Sequence, residues 1–304
     1  MPAIEREIGR HARVARTQHP MPPLVPERRR TSQLRTAIAD DACARRSPAD
    51  TPALVAFGQL MLGCGLLAVW AVLATLSGPA YVAHPLDVAR RLADLVLSGA
   101  IAPHLFATLR VAGIGFAAGC AAGIWLPLAL QTFPRTLSAI EPIVVASAGI
   151  PKYAVIPLFV LWFGIDDGPK LWLVGLLVFY PVFIGVLAGV RDVDRRLIQM
   201  VRTLGAGPVH VARVVVLPSL APFLFAALRI AVPRAVSAAI VGEFLVGTQG
   251  VGRIIESARE ELDTAGVFAG VIIATLLVAA AAAVVSRLER HLLRWRPPAA
   301  RLSA

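Results

Sequence analysis

Charge is scarce in this sequence: Asp, Glu, Lys and Arg make up 16% of 304 residues and 57% are hydrophobic, whereas about a quarter of an average soluble domain is charged. The apolar excess has to be buried in lipid or in a very large interior. Lysine is scarcer still. The two present, Lys152 and Lys170, each follow a proline, so the Gly-Lys-Ser/Thr of a phosphate-cradling loop cannot be made. His-Glu-x-x-His and Gly-x-Ser-x-Gly are also missing, which removes the commonest metal helix and nucleophile elbow. Three cysteines, Cys43, Cys64 and Cys120, stand at no metal or redox spacing, and six histidines are scattered over the chain. These shortages exclude a disulfide framework and point away from a metal site. No catalytic residue, metal ligand set or cofactor is expected on this chain.

What is abundant is long apolar runs, and the mean hydropathy is +0.70. Crossing the hydrocarbon takes about 20 mostly apolar helical residues. Six runs qualify: Leu54 to Leu76, Leu105 to Leu130, Ile140 to Phe163, Leu171 to Val190, Leu220 to Val246 and Val267 to Val285. The expected fold class is therefore all-α, a polytopic membrane protein with about six transmembrane helices. A net charge of +11 would suggest nucleic acid in a soluble protein, but the position of the charge argues otherwise. With the amino terminus in the cytoplasm, 21 of the 30 Lys and Arg residues fall inside and five outside, the remaining four lying within spans; this is the bias that orients membrane helices. Residues 1–52 carry Arg and Pro throughout and no apolar leader run, so they read as a disordered basic cytoplasmic tail. Residues 53–102 hold the first span and an outer loop, 103–286 the remaining spans, and 287–304 a second basic tail.

Within the spans, Gly115, Gly119 and Gly123 recur every four residues and leave one helix face bare for close approach of a neighbour. Either a pivot between moving helices or static packing would use such a face. The third span contains Pro142, Pro151 and Pro157, which predicts a kinked helix of the kind found lining cavities. Lys152 and Glu243 are ionisable groups at membrane depth, where a charge costs about 3 kcal/mol, so they are the candidate pathway residues. Lys152 would draw an anionic solute; the plainer alternatives are that it snorkels or neutralises Glu243. Trp70, Trp125, Trp162 and Trp172 read as interfacial anchors, and Arg229 and Arg234 as structural or coupling residues.

The longest hydrophilic stretch between spans, RDVDRRLIQMVRTLGAGPVHVARVVVLP, begins at Arg191. Asp192 or Asp194 can cap a helix whose Leu197, Met200, Val201 and Leu204 share a face, Gly205 can close it, and Pro208 suits the first turn of a second short helix. The stretch resembles the cytoplasmic loop of binding-protein-dependent ABC importer permeases, whose signature is Glu-Ala-Ala, three residues, Gly, nine residues, Ile, one residue, Leu-Pro. Here Gly205, Val215, Leu217 and Pro218 keep that spacing, and Gln199, Met200 and Val201 replace Glu-Ala-Ala. IPKYAVIPLFVLWFGI, VVLPSLAPFLFAALRIAVPRA and IVGEFLVGTQGVG are similar to the nitrate, sulfonate and taurine branch of that family, and Glu243 matches a Glu of its fifth-span pattern, where the resemblance allows a packing or gating role as readily as solute contact.

The resemblance implies a type I ABC importer transmembrane fold that works with two separate ATPase subunits carrying ATP and Mg, a second copy of this chain, an extracytoplasmic solute-binding protein and the lipid bilayer. It further implies an inner-membrane location and a docking turn made by Gln199, Arg202, Thr203, Leu204, Gly205 and Ala206 with His210, Arg213, Leu217 and Pro218. A surface helix lying on lipid is the alternative for the loop. An ion-coupled secondary transporter using Lys152 and Glu243 is the alternative for the whole chain.

Overall fold

The computed structural model describes residues 52–294 apart from residue 79, so most of the expected basic tails lies outside the described residues. The described chain is helical and without strands. Its elements are α1 (Pro52–Ser77), α2 (Pro85–Leu97), α3 (Ile101–Leu130), α4 (Pro134–Ser147), a 3₁₀ turn (Lys152–Val155), α5 (Ile156–Phe163), α6 (Asp167–Arg191), α7 (Arg195–Thr203), α8 (Pro208–Val211), a π turn (Ala212–Val216), α9 (Leu217–Val246), α10 (Val251–Glu260) and α11 (Thr264–Leu292). Two units meet within α1, Met1–Leu66 and Leu67–Ala304. Of the first, the described part is the opening half of α1, apolar on every side, as a helix in lipid is.

In the second unit α6 is the central rod. Its Leu173, Val174, Val178, Val182, Phe183 and Val186 are completely buried, because the glycine stripe of α3 lies against one side and small residues of α9 against another. A Cβ at Gly115 would stand 2.6 Å from the Cβ of Val174, one at Gly119 2.5 Å from the Gly175 carbonyl, and one at Gly123 2.9 Å from the Cβ of Val182. On the α9 side, a Cβ at Gly185 would stand 2.6 Å from that of Ala227. Two helices in lipid gain little from hydrophobic exclusion and rely on such backbone proximity.

Five helices or joined helices are long and apolar enough to cross a membrane, and a sixth span follows if α4 and the 3₁₀–α5 segment count together. That third span is not one kinked helix. It is broken over 148–151 and bends by 89°, since Pro151 and Pro157 withhold two amide donors close together. The second short helix after Gly205 also differs from expectation. After four residues it widens into the π turn and runs straight into α9, which relieves the clash that the Pro218 ring would make with the carbonyl four residues before it. Two amphipathic helices, α2 and α10, occupy loops that the hydropathy pattern left unassigned. Trp125, Trp162 and Trp172 are exposed on the spans, whereas Trp70 is half-buried and stacks on Phe268 with ring centroids 5.6 Å apart.

Candidate functional site

The turn after α7 is built from local chemistry. Asp194, not Asp192, is the helix cap, its carboxylate accepting from the Arg196 amide at 2.8 Å. At the other end Gly205 adopts φ +85°, its N–H donates to the Arg202 carbonyl at 3.0 Å, and the Ala206 N–H donates to the Val201 carbonyl at 3.3 Å. This paired closure is a Schellman cap, and it needs a residue at ease with positive φ. Pro208 then opens α8.

The face expected to be uniform is divided. Val201 is half-buried and, with Leu197, still 45% exposed, lines a cavity of about 470 Å³ beside Val214, Val215, Pro218 and Phe223, while Met200, Leu204 and Val209 stand 57%, 80% and 64% exposed. Gln199, Arg202, Thr203, Gly205, His210, Arg213 and Leu217 are also exposed, with Ala206 and Pro218 half-buried. The protrusion is thus apolar at its tip and basic around it, which suits a groove with an acidic rim.

Lys152 sits at the break of the third span. Its ammonium donates to the carbonyls of Ala148 and Ile150 and lies 4.6 Å from the centre of the Tyr180 ring on α6. A cation placed on carbonyls just past the end of α4 satisfies groups that the break leaves open. Arg234 on α9 adds its positive charge to the same region. Lys152 is not paired with Glu243.

Glu243 is instead 1% exposed near the far end of α9, where its Oε2 accepts from Thr108 Oγ1 at 2.8 Å and from the Gly252 N–H at 3.2 Å. Thr108 Oγ1 in turn accepts from the Val251 N–H at 3.0 Å, and His104 Nδ1 meets the Gly250 N–H at 3.1 Å. The result clasps the Gly-rich loop before α10 onto α3. Beside it, Lys170, 5% exposed, pairs with Asp167 at 2.6 Å, and Asp167 also pairs with Arg110. Glu243 therefore presents no carboxylate at a surface.

Thr108, His104, Asp167 and Lys170 carried no signal in the sequence as members of this cluster, because Thr108 and Glu243 are 135 positions apart. At the other end of α6, Arg191 makes a two-pronged pair with Glu141 of α4, Nη1 to Oε1 at 2.7 Å, equally silent in the linear pattern. Among the described residues no group of three or more His, Cys, Asp or Glu side chains is placed to hold a metal ion.

Comparison with known proteins gives a consistent result. The family described as binding-protein-dependent transport system inner membrane component matches residues 113–296. The formylaminopyrimidine transport permease protein of Halalkalibacterium halodurans is 35% identical over 232 residues, 76% of this chain and 92% of that protein. The putative aliphatic sulfonates transport permease protein of Bacillus subtilis is 31% identical over 239 residues, 78% and 87% of the two chains. The riboflavin transport system permease protein of Chloroflexus aurantiacus is 35% identical over 246 residues, 80% and 91%.

Proposed function

The chain belongs to the binding-protein-dependent transport system inner membrane component family, the permeases of ABC importers, and from that premise we propose that it forms the translocation pathway for a small solute and takes its energy from a separate ATPase gripped by the α7–α8 turn. In this reading two copies of the chain work with two ATPase subunits and an extracytoplasmic binding protein, in a bacterial inner membrane with the amino terminus cytoplasmic. The observation that carries it is the exposed turn itself. Met200, Leu204 and Val209 leave a basic-rimmed apolar tip without a partner among the described residues, on a Schellman cap that fixes its shape.

Gly205 has no atom within 4 Å of where a Cβ would lie, so substitution there tests the backbone alone. A β-branched side chain in the left-handed region costs about 1–2 kcal/mol, whereas Asn visits that region with ease. Gly205→Val is expected to lower ATPase co-purification and ATP-driven uptake on the order of tenfold, and Gly205→Asn to keep most of both. Equal behaviour of Gly205→Val and the unaltered chain, or uptake by the lone chain in ATP-free vesicles under an ion gradient, would sink the proposal.

For the solute, we favour a small anion. The support is the positive field of Lys152 and Arg234 at the break of the third span. With nitrate, ethanesulfonate and taurine as probes, Lys152→Met is expected to reduce ATP-driven uptake of whichever is carried by about tenfold or more, the effect of losing a charge-assisted contact, while Lys152→Arg retains most of it. Unchanged uptake in Lys152→Met would remove the anion assignment and leave the coupling proposal standing.

A further inference from the structure

Helix α4 is attached to the rest of its unit by little. Leu137 is its one buried residue, part of a small apolar cluster with Leu130, Phe183 and Leu187 that stays apart from the main core. Its outward face is bare, with Ile143 and Val145 exposed. Among the described residues, the hydrogen bonds that α4 makes to another helix are those of Glu141 with Arg191.

Arg191 is the last residue of α6 and stands three positions before Asp194, the cap of α7. The two-pronged geometry of an arginine on a carboxylate fixes direction as well as distance. Beyond the break, Lys152 of the 3₁₀ turn lies over Tyr180 of α6 and donates back to the carbonyls of Ala148 and Ile150. Tyr180 and Arg191 are about 16 Å apart along α6 at 1.5 Å per residue. The broken span is thus tied to α6 on both sides of its break, by Tyr180 beyond it and, on the α4 side, by Arg191 at the root of the α7–α8 turn.

We propose that the Arg191–Glu141 pair is a strut that transmits displacement of the α7–α8 turn to α4, and through α4 to the break at 148–151. Glu141 and Arg191 are positioning residues for transport in this account; neither touches solute or nucleotide. The inference rests on the coupling reading given above. Without the strut, α7 can still dock and the ATPase can still turn over, but α4 is left held by a few apolar contacts that permit sliding, so the break no longer follows the nucleotide state.

The test uses the full chain with its ATPase subunits in lipid nanodiscs, with Cys43, Cys64 and Cys120 replaced by Ser and Ile150→Cys as the reporter. Ile150 is exposed at the break. The reaction rate of that thiol with a water-soluble maleimide is measured without nucleotide and after trapping with ATP and vanadate. With the strut intact the rate is expected to change by about fivefold or more between the two states, the low end of ordinary coupling between sites. Glu141→Gln should reduce the change to less than about twofold while ATPase retention and basal ATP hydrolysis stay the same, and the reversed pair Glu141→Arg with Arg191→Glu should recover most of it. A Glu141→Gln protein that responds to nucleotide like its parent, or a reversed pair that recovers nothing, overturns the strut. Failure of the parent protein to retain any ATPase would instead overturn the coupling reading, and the strut with it.

Discussion

Gly119→Leu is expected to abolish folded permease in detergent extracts, and Gly119→Ala to lower its melting temperature by about 5 °C, read by the temperature at which the monodisperse gel-filtration peak is lost. The Cβ of alanine alone would stand 2.5 Å from the Gly175 carbonyl and 2.9 Å from the Cβ of Val178. A carbonyl in a helix cannot swing aside as the end of a side chain can, so α3 and α6 must separate. Overpacking of this kind costs about 1–3 kcal/mol for one methyl, and a domain of this size loses roughly 2–4 °C per kcal/mol. Leucine adds three further carbons in the same gap. Gly113, on α3 with no atom within 4 Å of its Cβ position, is the control with the opposite sign. Gly113→Ala should hold or raise the melting temperature, because alanine is about 1 kcal/mol better than glycine within a helix. A Gly119→Ala protein as stable as Gly113→Ala would show that the two helices are not in contact there.

Glu243→Ala carries the second large effect, a fall in melting temperature on the order of 10 °C, from the loss of two hydrogen bonds to a buried carboxyl worth about 1.5–3 kcal/mol each. It strips acceptors from Thr108 Oγ1 and the Gly252 N–H together. Gln at 243 keeps one acceptor oxygen and should lose less than half as much. Thr108→Val removes the centre of the same clasp, since its hydroxyl also accepts from Val251. The double variant should therefore be much less destabilised than the sum of the two single ones, as members of one network are. Additive losses would mean that Glu243 and Thr108 act apart.

The spans and the local build of the α7–α8 turn were legible in the sequence because each depends on neighbours in the chain. Hydropathy is a property of a window. The Asp194 cap, the Gly205 closure and the Pro208 start each involve residues within a few positions of one another. Glycines at 115, 119 and 123 announced a bare helix face, though not that Val174, Gly175 and Val182 of α6 would fill it.

Tertiary structure alone decided the rest. Three prolines foretold a bend, but the 89° break is held by Lys152 on the Ala148 carbonyl and against Tyr180, contacts that appear only when α6 lies alongside. For Glu243 the sequence left solute contact and a packing or gating role level, and it is the approach of Thr108 and Gly252 that gives its carboxyl partners within the protein. Arg191 looked like one more positive-inside charge until Glu141, 50 positions earlier, met it. Charge and hydropathy are written residue by residue and fix which segments enter the membrane. Which polar groups satisfy one another there depends on distances set by helix packing, and no linear spacing encodes those.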